Sequence, residues 1–549
     1  MKLKRFLSTV LTLSVMAASI SGCGNGGGGG TQTTETAADT PDSSAPAEGG
    51  EFNFAVEEDV LSLDPAYGYS LSTSPGIHLF QETMLEYDNT TGELKPNLAD
   101  SWEMSEDGMV YTINLKEGIK FWDGNEMTAD DAIFSIQHIM DPDVASYMAF
   151  CYEAVDTVEK IDDYSFKINL KYPDATFKYA LCVDAGTVIE QKYYEEHSDN
   201  YGTPEGGVMG TGPYIYDNWI QGQQVTGVKN ENYWDADNMP KFDKVNIMVL
   251  PDSTTRLNAL GTGDLNCTFQ VPTNQVDLVK SMPNVELKYN PAGATHAIHF
   301  NTQVAPFDDK NVRLAMQYAF DKDLYYNTYI KEAGLKGDLN YITPGLRTLN
   351  EEAWKDCEEY TAQYNYDMEK AKECLANSAY PDGFEAEFIV SNQDIEGKNA
   401  LLQLQDAVKD MGITINIRTV TYGEIYEIGF SAQRDYQAFV LRWDCDYPDP
   451  ATDLIPTLHS AACGEGGGNF CNYQNPEVDA LLDEQSKLTD DAERGELIAQ
   501  ACKLIADDAP FICFAYPYRA SVRTNDVGGY DEVSLIYWWS TFYKYMYFK

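Results

Sequence analysis

The sequence lacks the short motifs that mark the common hydrolases and nucleotide-binding enzymes. No GxSxG, HExxH or GxxxxGK[ST] pattern occurs in its 549 residues. The absence of any CxxC pair excludes the usual zinc-ribbon and thioredoxin motifs. Only six histidines are present, which disfavours a metal-binding role. We therefore expect no enzymatic activity, no cofactor and no metal, and keep a surface hydrolase built on paired carboxylates as a remote alternative.

Basic residues are scarce relative to acidic ones. The chain holds 38 Lys and Arg against 87 Asp and Glu, a formal net charge of −49 at pH 7. Phosphate binding relies on Lys and Arg, so this balance excludes nucleic acid as a partner. Anionic lipid is repelled for the same reason. We interpret the acidic surface as a solvated one that keeps the protein soluble.

Long apolar runs are missing everywhere except at the N-terminus. Residues 6–20 form an apolar run of signal-peptide length, and Lys2, Lys4 and Arg5 precede it as a basic n-region. The run is too short to predict a transmembrane helix. An ordinary secretory signal is one interpretation of this segment.

The end of this run supports a lipoprotein signal instead. Residues 20–23 read Ile-Ser-Gly-Cys, which resembles a bacterial lipobox. The resemblance implies that residues 1–22 are removed and that Cys23 carries the lipid anchor. Residues 23–50 follow with a five-glycine run and many Thr, Ser and Ala residues, a composition typical of a flexible linker.

Ten cysteines remain besides Cys23. Export from the cytoplasm would permit disulfides. Cys463 and Cys471 flank a glycine-rich loop and are the pair that closes at the lowest cost, although the sequence establishes no pairing.

From Glu51 onward the hydrophobic pattern alternates between strands and helices, which indicates an α/β fold. Residues 110–115 alternate apolar and polar side chains and predict a strand. Thr128 and Asp131 have the spacing of a capping box, which predicts the start of a helix. In the second half, the sequence predicts several further boundaries: a helix capped by Asp308 or Asp309, a helix ending at Gly412 before a strand with Ile413, Ile415 and Ile417, and a helix beginning at Asn475-Pro476.

Residues 94–142 closely resemble the signature of the extracytoplasmic peptide- and nickel-binding proteins, family 5, that deliver solutes to ABC importers. The similarity extends from about Phe54 to Phe514 and includes these shorter elements: Leu63-Asp64-Pro65, Gly210 to Tyr214, Asn232-Tyr233-Trp234, Asn301 with Pro306-Phe307, Val312-Arg313, and Tyr318 to Asp321. Each element is weak alone, but their order along the chain is specific.

The resemblance implies a two-lobed, periplasmic-binding-protein-like flytrap with an additional domain (type II, cluster C-like). Carried onto this chain, lobe I combines residues 51–90, 210–293 and 511–549. Domain II then covers residues 91–209, and lobe III covers residues 294–510. The ligand is expected between lobes I and III.

The strongest candidates for ligand-binding residues lie in the loop after the apolar run 438–441. Its sequence from Arg442 to Pro450 resembles the family element Trp-x-x-Asp-Tyr-x-x-Pro. The resemblance implies that Asp446 pairs with the α-ammonium group of a peptide and that Trp443 lines the cleft. Tyr447 and Arg442 complete the predicted ligand-binding set.

Alternatives remain open for this loop. Asp446 and Asp449 are also typical of turns next to proline. Calcium binding by Asp444, Asp446 and Asp449 is a weaker interpretation, because the EF-hand spacing is broken. The ligand carboxylate requires a cation, for which Arg442, Arg418 and Lys398 are candidates that the sequence does not place.

The leading hypothesis is a monomeric receptor at the extracytoplasmic face of a bacterial membrane, anchored through Cys23, that binds short peptides and delivers them to the membrane subunits of an ABC permease. The alternatives are an oligosaccharide, stacked on Tyr and Trp, and a nickel chelate. Nickel is less favoured, because we assign His296 and His299 to the core or a loop. Their spacing places both on one strand face.

Overall fold

The computed structural model describes residues 48–269, 271–529, 537, 539 and 544–549. The predicted signal segment, Cys23 and most of the predicted linker lie outside these residues. Within them, we find no helix with both the length and the hydrophobicity needed to cross a bilayer.

Within the part of the chain that the structure describes, the strands form three larger sheets and two two-stranded sheets. In chain order they are β1 (Glu51–Val56), β2 (Leu85–Asp88), β3 (Glu93–Pro96), β4 (Ala99–Met104), β5 (Val110–Leu115), β6 (Val155–Asp162), β7 (Ser165–Leu170), β8 (Tyr214–Ile220), β9 (Gln224–Lys229), β10 (Lys244–Val249), β11 (Cys267–Thr268), β12 (Val285–Asn290), β13 (Ala294–Phe300), β14 (Gly334–Lys336), β15 (Glu385–Ser391), β16 (Thr414–Val420), β17 (Ala438–Asp444), β18 (Phe511–Pro517), β19 (Arg519–Thr524), β20 (Val527–Gly528) and β21 (Tyr547–Phe548).

The α-helices are interspersed among these strands. In chain order they are α1 (Ser74–Phe80), α2 (Ala129–Met140), α3 (Gln191–Glu196), α4 (Ser253–Thr262), α5 (Val276–Lys280), α6 (Lys310–Ala319), α7 (Lys322–Tyr325), α8 (Glu351–Thr361), α9 (Met368–Ala376), α10 (Ile395–Val408), α11 (Tyr422–Gly429), α12 (Ala451–Leu458), α13 (Pro476–Gln485) and α14 (Asp491–Asp508). The predicted α/β class is confirmed.

The first large sheet has seven strands in the order β12-β19-β11-β1-β10-β9-β8. Its central strand β1 pairs in parallel with both β10 and β11, which come much later in the chain. The sheet therefore collects segments from the beginning, the middle and the end of the sequence.

The second sheet, β4-β5-β7-β6, is antiparallel and comes from one continuous stretch of chain. In β5 the buried residues are Tyr111, Ile113 and Leu115, as the alternating pattern predicts. Helix α2 begins with the predicted capping box, in which Thr128 and Asp131 bond reciprocally.

The third sheet has six strands in the order β14-β18-β13-β17-β15-β16. Strand β18 pairs with β13 and β14 in this sheet, whereas we predicted all of residues 511–549 to belong to lobe I. That assignment is wrong for residues 511–517, because the apolar strand β18 fills a central position next to β13. The other lobe boundaries stay predictions.

Two short segments connect the seven-stranded sheet to the six-stranded sheet, side by side. One runs from the end of β12 at Asn290 to the start of β13 at Ala294, and the other from β18 to β19 through Tyr518. Asn290 is the register partner of Arg519, so the two connections are adjacent.

Several predicted helix boundaries are confirmed. Asp309 caps α6 by accepting from the backbone N–H of Asn311, and Asn475 caps α13 in front of Pro476. Gly412 has a φ of 78°, the left-handed conformation that ends a helix at low cost for glycine. Strand β16 follows it.

Candidate functional site

The cleft consists of two adjoining cavities, of about 460 Å³ and 270 Å³. The walls of the larger cavity come from both the seven-stranded and the six-stranded sheet, and those of the smaller one come from the six-stranded sheet and its connections. The seven-stranded sheet contributes Tyr289 on β12 and Arg519 on β19 to the larger cavity. The six-stranded sheet and its connections contribute residues common to both cavities: Gln393, Asp394, Glu396, Tyr422, Arg442 and Asp444. A concave site of this size, with a few charged groups among apolar lining residues, is typical of small-ligand binding.

Arg442, Asp444 and Arg519 form a charged group on the cleft wall, here called the arginine–aspartate group. Arg442 and Asp444 are two residues apart on β17 and therefore face the same side of the sheet. Arg442 donates to both carboxylate oxygens of Asp444, at 3.0 and 2.7 Å, and Arg519 donates to one of them at 3.0 Å. Burial opposes ionisation of Asp444, but the two guanidinium groups hold its pKa below the usual range.

His296, Asp394 and Glu396 form a second charged group, here called the histidine group. The His296 Nε2 atom lies 2.9 Å from Asp394 Oδ2, and its Nδ1 atom lies 3.7 Å from Glu396 Oε2. Burial disfavours the imidazolium, but the two carboxylates outweigh burial and raise the pKa of His296 to about 9. Burial likewise opposes ionisation of Asp394 and Glu396, yet their pKa values are lowered by His296.

The histidine group also has the composition of a metal site. One ligand atom from each of the three residues can be chosen so that all lie within 4.8 Å of one another. A metal ion would have to displace a proton from His296, whose raised pKa keeps it an imidazolium at neutral pH. The arrangement is therefore best described as an ion-paired cluster within the cleft wall.

The histidine residues do not share a strand face as we expected. Three residues apart on β13, His296 and His299 point to opposite sides of the sheet. His296 lines the smaller cavity, whereas the His299 Nε2 atom lies 2.9 Å from the Tyr341 hydroxyl oxygen in the core. Burial lowers the pKa of His299 to about 3.

Asp446 lies just beyond β17 and next to the arginine–aspartate group. The Tyr69 hydroxyl donates to its carboxylate at 2.8 Å, and the Trp539 indole donates to its backbone carbonyl at 2.9 Å. Burial and the carboxylate of Asp446 raise the pKa of Tyr69 well above its usual value, so the hydroxyl stays protonated. Tyr69 follows β1 in the chain, so this hydrogen bond joins the parts of the fold that carry the two large sheets.

The other predicted binding residues are placed differently. Arg442 lines both cavities. Trp443 lines neither cavity and instead contacts Phe470, with 5.9 Å between the ring centroids. Tyr447 is buried against the rings of Tyr179 and Phe150, at 6.2 and 6.4 Å between centroids. The structure thus brings Arg442 into the cleft and Asp446 close to it, while Trp443 and Tyr447 support the loop from behind.

The weaker calcium interpretation is wrong, because the three aspartates have separate partners. Asp444 pairs with Arg442 and Arg519, Asp446 accepts from Tyr69, and Asp449 forms a buried two-point ion pair with Arg494 at 2.9 Å for both contacts. The candidate disulfide is also absent: among the described residues, Cys463 and Cys471 are both free thiols.

Several cleft residues were not found from the sequence. The spacing of Arg442 and Asp444 at the end of an apolar run was a usable signal for two charges on one strand face. Arg519 gave no such signal, because only the connection between β18 and β19 brings it to the cleft. Asp394 is the N-cap of α10 and Glu396 lies in its first turn, positions where acidic residues are common without a binding role.

Comparisons with known proteins agree with this architecture. A family model described as bacterial extracellular solute-binding proteins, family 5 middle, matches residues 93–464. Heme-binding protein A from Haemophilus influenzae is 30% identical over 559 residues, covering 96% of this chain and 97% of that protein. Probable di/tripeptide-binding protein 5 from Pseudomonas aeruginosa is 26% identical over 494 residues, covering 85% and 90% of the two chains.

A solved structure shows the same likeness. The ABC transporter-associated periplasmic binding protein DppA from Helicobacter pylori, in complex with peptide STSA, matches with a TM-score of 0.75 at 25% identity, covering 91% of this chain and 98% of that chain. The predicted two-lobed flytrap with an additional domain is confirmed. The family match spans more than half of the chain. The chain therefore belongs to family 5 of the bacterial extracellular solute-binding proteins, and it is an extracytoplasmic binding protein of an ABC importer rather than an enzyme.

Proposed function

We propose that this protein is a lipid-anchored receptor that captures short peptides and delivers them to an ABC permease. The observation that carries the proposal is the cleft between the two large sheets, which is walled by charges of both signs. A peptide with free ends has a cation at one end and an anion at the other. A cleft lined by both acidic and basic side chains matches that charge pattern.

Asp446 is the proposed partner of the peptide ammonium group. Its carboxylate lies at the end of β17, where the Tyr69 hydroxyl from the other side of the cleft donates to it at 2.8 Å. Its pairing with Tyr69 means that a ligand ammonium placed there would contact both parts of the fold. The related proteins that carry peptide names, in Pseudomonas aeruginosa and Helicobacter pylori, support a peptide ligand.

Delivery is proposed to follow from closure of the cleft. A ligand that contacts both sheets binds the closed state more tightly than the open one and shifts the population toward it. The permease would then recognise the closed surface. Recognition of the closed surface by the permease is part of the proposal. The monomeric state of the protein is part of it as well.

The lipid anchor is proposed at Cys23 on the lipobox resemblance. Replacement Cys23→Ser should release the protein from the membrane fraction of the cells that produce it, while the wild type stays with the membrane until detergent is added. Retention of the serine variant on membranes washed free of soluble protein would count against the anchor.

The experiment that tests the peptide proposal is native mass spectrometry of the chain from residue 24 onward, purified from rich medium, with gentle ejection of bound ligand. A ladder of peptide masses is expected. Ejection of hexose-spaced masses would establish the oligosaccharide alternative, and ejection of a single haem mass would show a ligand like that named for the Haemophilus influenzae relative. Either result would overturn the peptide proposal.

A further inference from the structure

Helices α8 and α14 run side by side in the same direction, and their side-chain contacts fix how they align. At the start of α8, the Asn350 amide donates to a backbone carbonyl in the first turn of α14 at 3.0 Å. Further along, Asp356 pairs with Lys503. Near the end of α8, the Tyr360 hydroxyl donates to the carboxylate of Asp507 at 3.0 Å. The contacts advance in step along both helices, which sets the register of their interface.

Small buried side chains recur on both helices at spacings of three and four residues, so on each helix they lie on one face. They are Ala353, Cys357 and Thr361 on α8, and Gly495, Ala499, Cys502 and Ala506 on α14. A Cβ atom at Gly495 would lie only 2.6 Å from the Cβ atom of Asn350, so only glycine fits at this contact. The small side chains therefore let the two helix backbones approach each other closely.

Cys357 and Cys502 meet in the middle of this interface. Both are buried free thiols in this structure, 0% and 2% exposed. Their neighbours in the chain, Asp356 and Lys503, form the ion pair described above. The Cys502 thiol is hydrogen-bonded to Cys357, and this contact, together with burial, raises the pKa of Cys502 well above its usual value. A disulfide joins Cα atoms about 4.4–6.8 Å apart, a spacing that closely packed helices with small side chains can provide.

We propose that Cys357 and Cys502 form a disulfide in the exported protein and thereby join α8 to α14. Disulfides persist outside the cytoplasm, where thiols are not kept reduced. The sequence pointed instead to Cys463 and Cys471, because they lie close together in the chain. The pair that the fold brings into contact is distant in sequence, and closing so long a loop restricts the unfolded chain strongly. The inference does not depend on the identity of the ligand.

The bond forms in two exchange steps with an external disulfide, that of a thiol–disulfide oxidoreductase in the extracytoplasmic space. The thiolate of one cysteine attacks a sulfur of the external disulfide, which gives a mixed disulfide and releases one external thiol. The thiolate of the other cysteine then attacks the mixed disulfide, and the second external thiol leaves. The cysteine pair is oxidised by two electrons, the external disulfide is reduced by two, and the two released thiols take up the two protons. Because Cys357 and Cys502 are buried in the folded protein, the exchange takes place during folding, before α14 packs on α8.

The first test uses the wild-type protein and needs no substitution. The protein is exported from the cells that produce it, purified without reductant, denatured in an excess of N-ethylmaleimide and digested for mass spectrometry. We expect a linked pair of peptides, one with Cys357 and the other with Cys502, that disappears when the digest is reduced. Recovery of both cysteines as maleimide adducts in most molecules would overturn the proposal. A disulfide from either of them to a different cysteine would overturn it as well.

The second test measures the effect of the bond on stability. The Tm of the exported wild type should exceed that of the same protein, reduced in denaturant and refolded with reductant, by about 5 °C. The double variant Cys357→Ala, Cys502→Ala should show no such difference. The matched control is Cys374→Ala on α9, a partly exposed thiol outside this interface, which should keep the wild-type difference. A wild-type difference in the double variant would contradict the proposal, and if that variant fails to fold, the peptide map of the wild type still decides.

Discussion

Asp444 shows how the cleft keeps its charges in place. Its two oxygens accept three hydrogen bonds from two guanidinium groups, one on its own strand and one on β19 of the other sheet. Charged groups that share several hydrogen bonds are held in a fixed direction, even where, as for Asp444 and Arg442, about a third of the side chain is exposed. The consequence is that the chain leaves β17 in a defined direction and brings Asp446 to the edge of the cleft.

Replacement Asp446→Ala should abolish peptide binding without unfolding the protein. Removing one member of a desolvated ion pair costs about 3–5 kcal/mol, which corresponds to a loss of affinity of roughly 10²–10³-fold or more. The apo protein should keep nearly the same Tm, because Asp446 is only partly buried. Isothermal titration calorimetry with the peptides ejected from the wild type measures the first effect and thermal unfolding the second.

The matched control for this prediction is Asp410→Ala, which removes an exposed aspartate of the same sheet domain at a position that does not line the cleft. Its affinity should equal that of the wild type. Full peptide affinity in Asp446→Ala would remove Asp446 from the binding site and return it to the role of a turn residue.

His296 should make the stability of the protein depend on pH above neutrality. Its pKa is about 9 in the fold, against about 6.5 in an unfolded chain. Protonated His296 therefore stabilises the folded state by about 3 kcal/mol. This stabilisation is fully present below pH 6.5 and is lost as the pH rises through 9. Asp394 and Glu396, whose pKa values are lowered, have the opposite sign and lose their contribution only in acid.

The measurement is the Tm of the wild type and of His296→Gln from pH 6.5 to 9.5. The wild type should lose more stability over this range than the variant does. His299, the nearest other histidine, has a pKa of about 3 and does not titrate there. Parallel Tm curves for the two proteins would show that His296 is not an imidazolium in the fold.

At the scale of elements, the sequence predicts a strand or helix boundary well where the interactions that form it lie within a few residues. Strand β5 and the capping box of α2 follow from alternation and from the spacing of Thr128 and Asp131. The cap at Asp309 and the glycine stop at Gly412 depend on backbone groups only a few residues away.

The candidate site was only partly predictable, because its residues are assembled by contacts between distant segments. Arg442 was found from the loop that carries it, but Arg519 and His296 reach the cleft through the pairing of β19 and β13 in their sheets. The prediction that β18 belongs to lobe I was wrong for the same reason. An apolar strand fits either sheet, and only the strand with which it pairs decides which sheet it joins.

The buried pair between Asp449 and Arg494 should stabilise the attachment of α14 to the loop before α12. Asp449 is 1% exposed, accepts two hydrogen bonds of 2.9 Å from Arg494, and accepts a third from the backbone of Ala451. Replacement Asp449→Ala would leave a buried guanidinium without this partner. We expect a loss of about 3–5 kcal/mol in the free energy of unfolding, measured by urea denaturation.

Asp491→Ala is the control for this pair. Asp491 also contacts Arg494, at 3.4 Å, but its side chain is 58% exposed. Exposed ion pairs contribute about 0–1 kcal/mol, so the control should change stability little. Equal effects of the two substitutions would show that burial of the Asp449 pair does not matter to the fold.

At the scale of the whole molecule, two adjacent segments, Asn290 to Ala294 and Pro517 to Arg519, are the connections between the two large sheets within the described part of the chain. Such a connection permits rotation of one sheet domain against the other with few changes in backbone angles. Contacts across the cleft, such as that between Tyr69 and Asp446, then hold the closed arrangement.

A bound peptide should therefore make the molecule more compact. We expect the radius of gyration from small-angle X-ray scattering to fall when a peptide that was ejected from the wild type is added to ligand-stripped wild-type protein. The same peptide at the same concentration should leave Asp446→Ala unchanged. A radius that is the same with and without peptide in the wild type would exclude closure as the signal read by the permease.

The adjacent connections have a consequence for the sequence of events during capture. Arg519 begins the strand after one connection, and Asp444 is the register partner of Ala294, which ends the other. Points close to a rotation axis move least, so the arginine–aspartate group should remain assembled even when the mouth is wide open. Tyr69 and Asp446 lie on loops farther from this axis, so we expect their hydrogen bond to form only on closing. We therefore expect an incoming ligand to contact the arginine–aspartate group first and to reach Asp446 only in the final closing step, so that capture follows a fixed order.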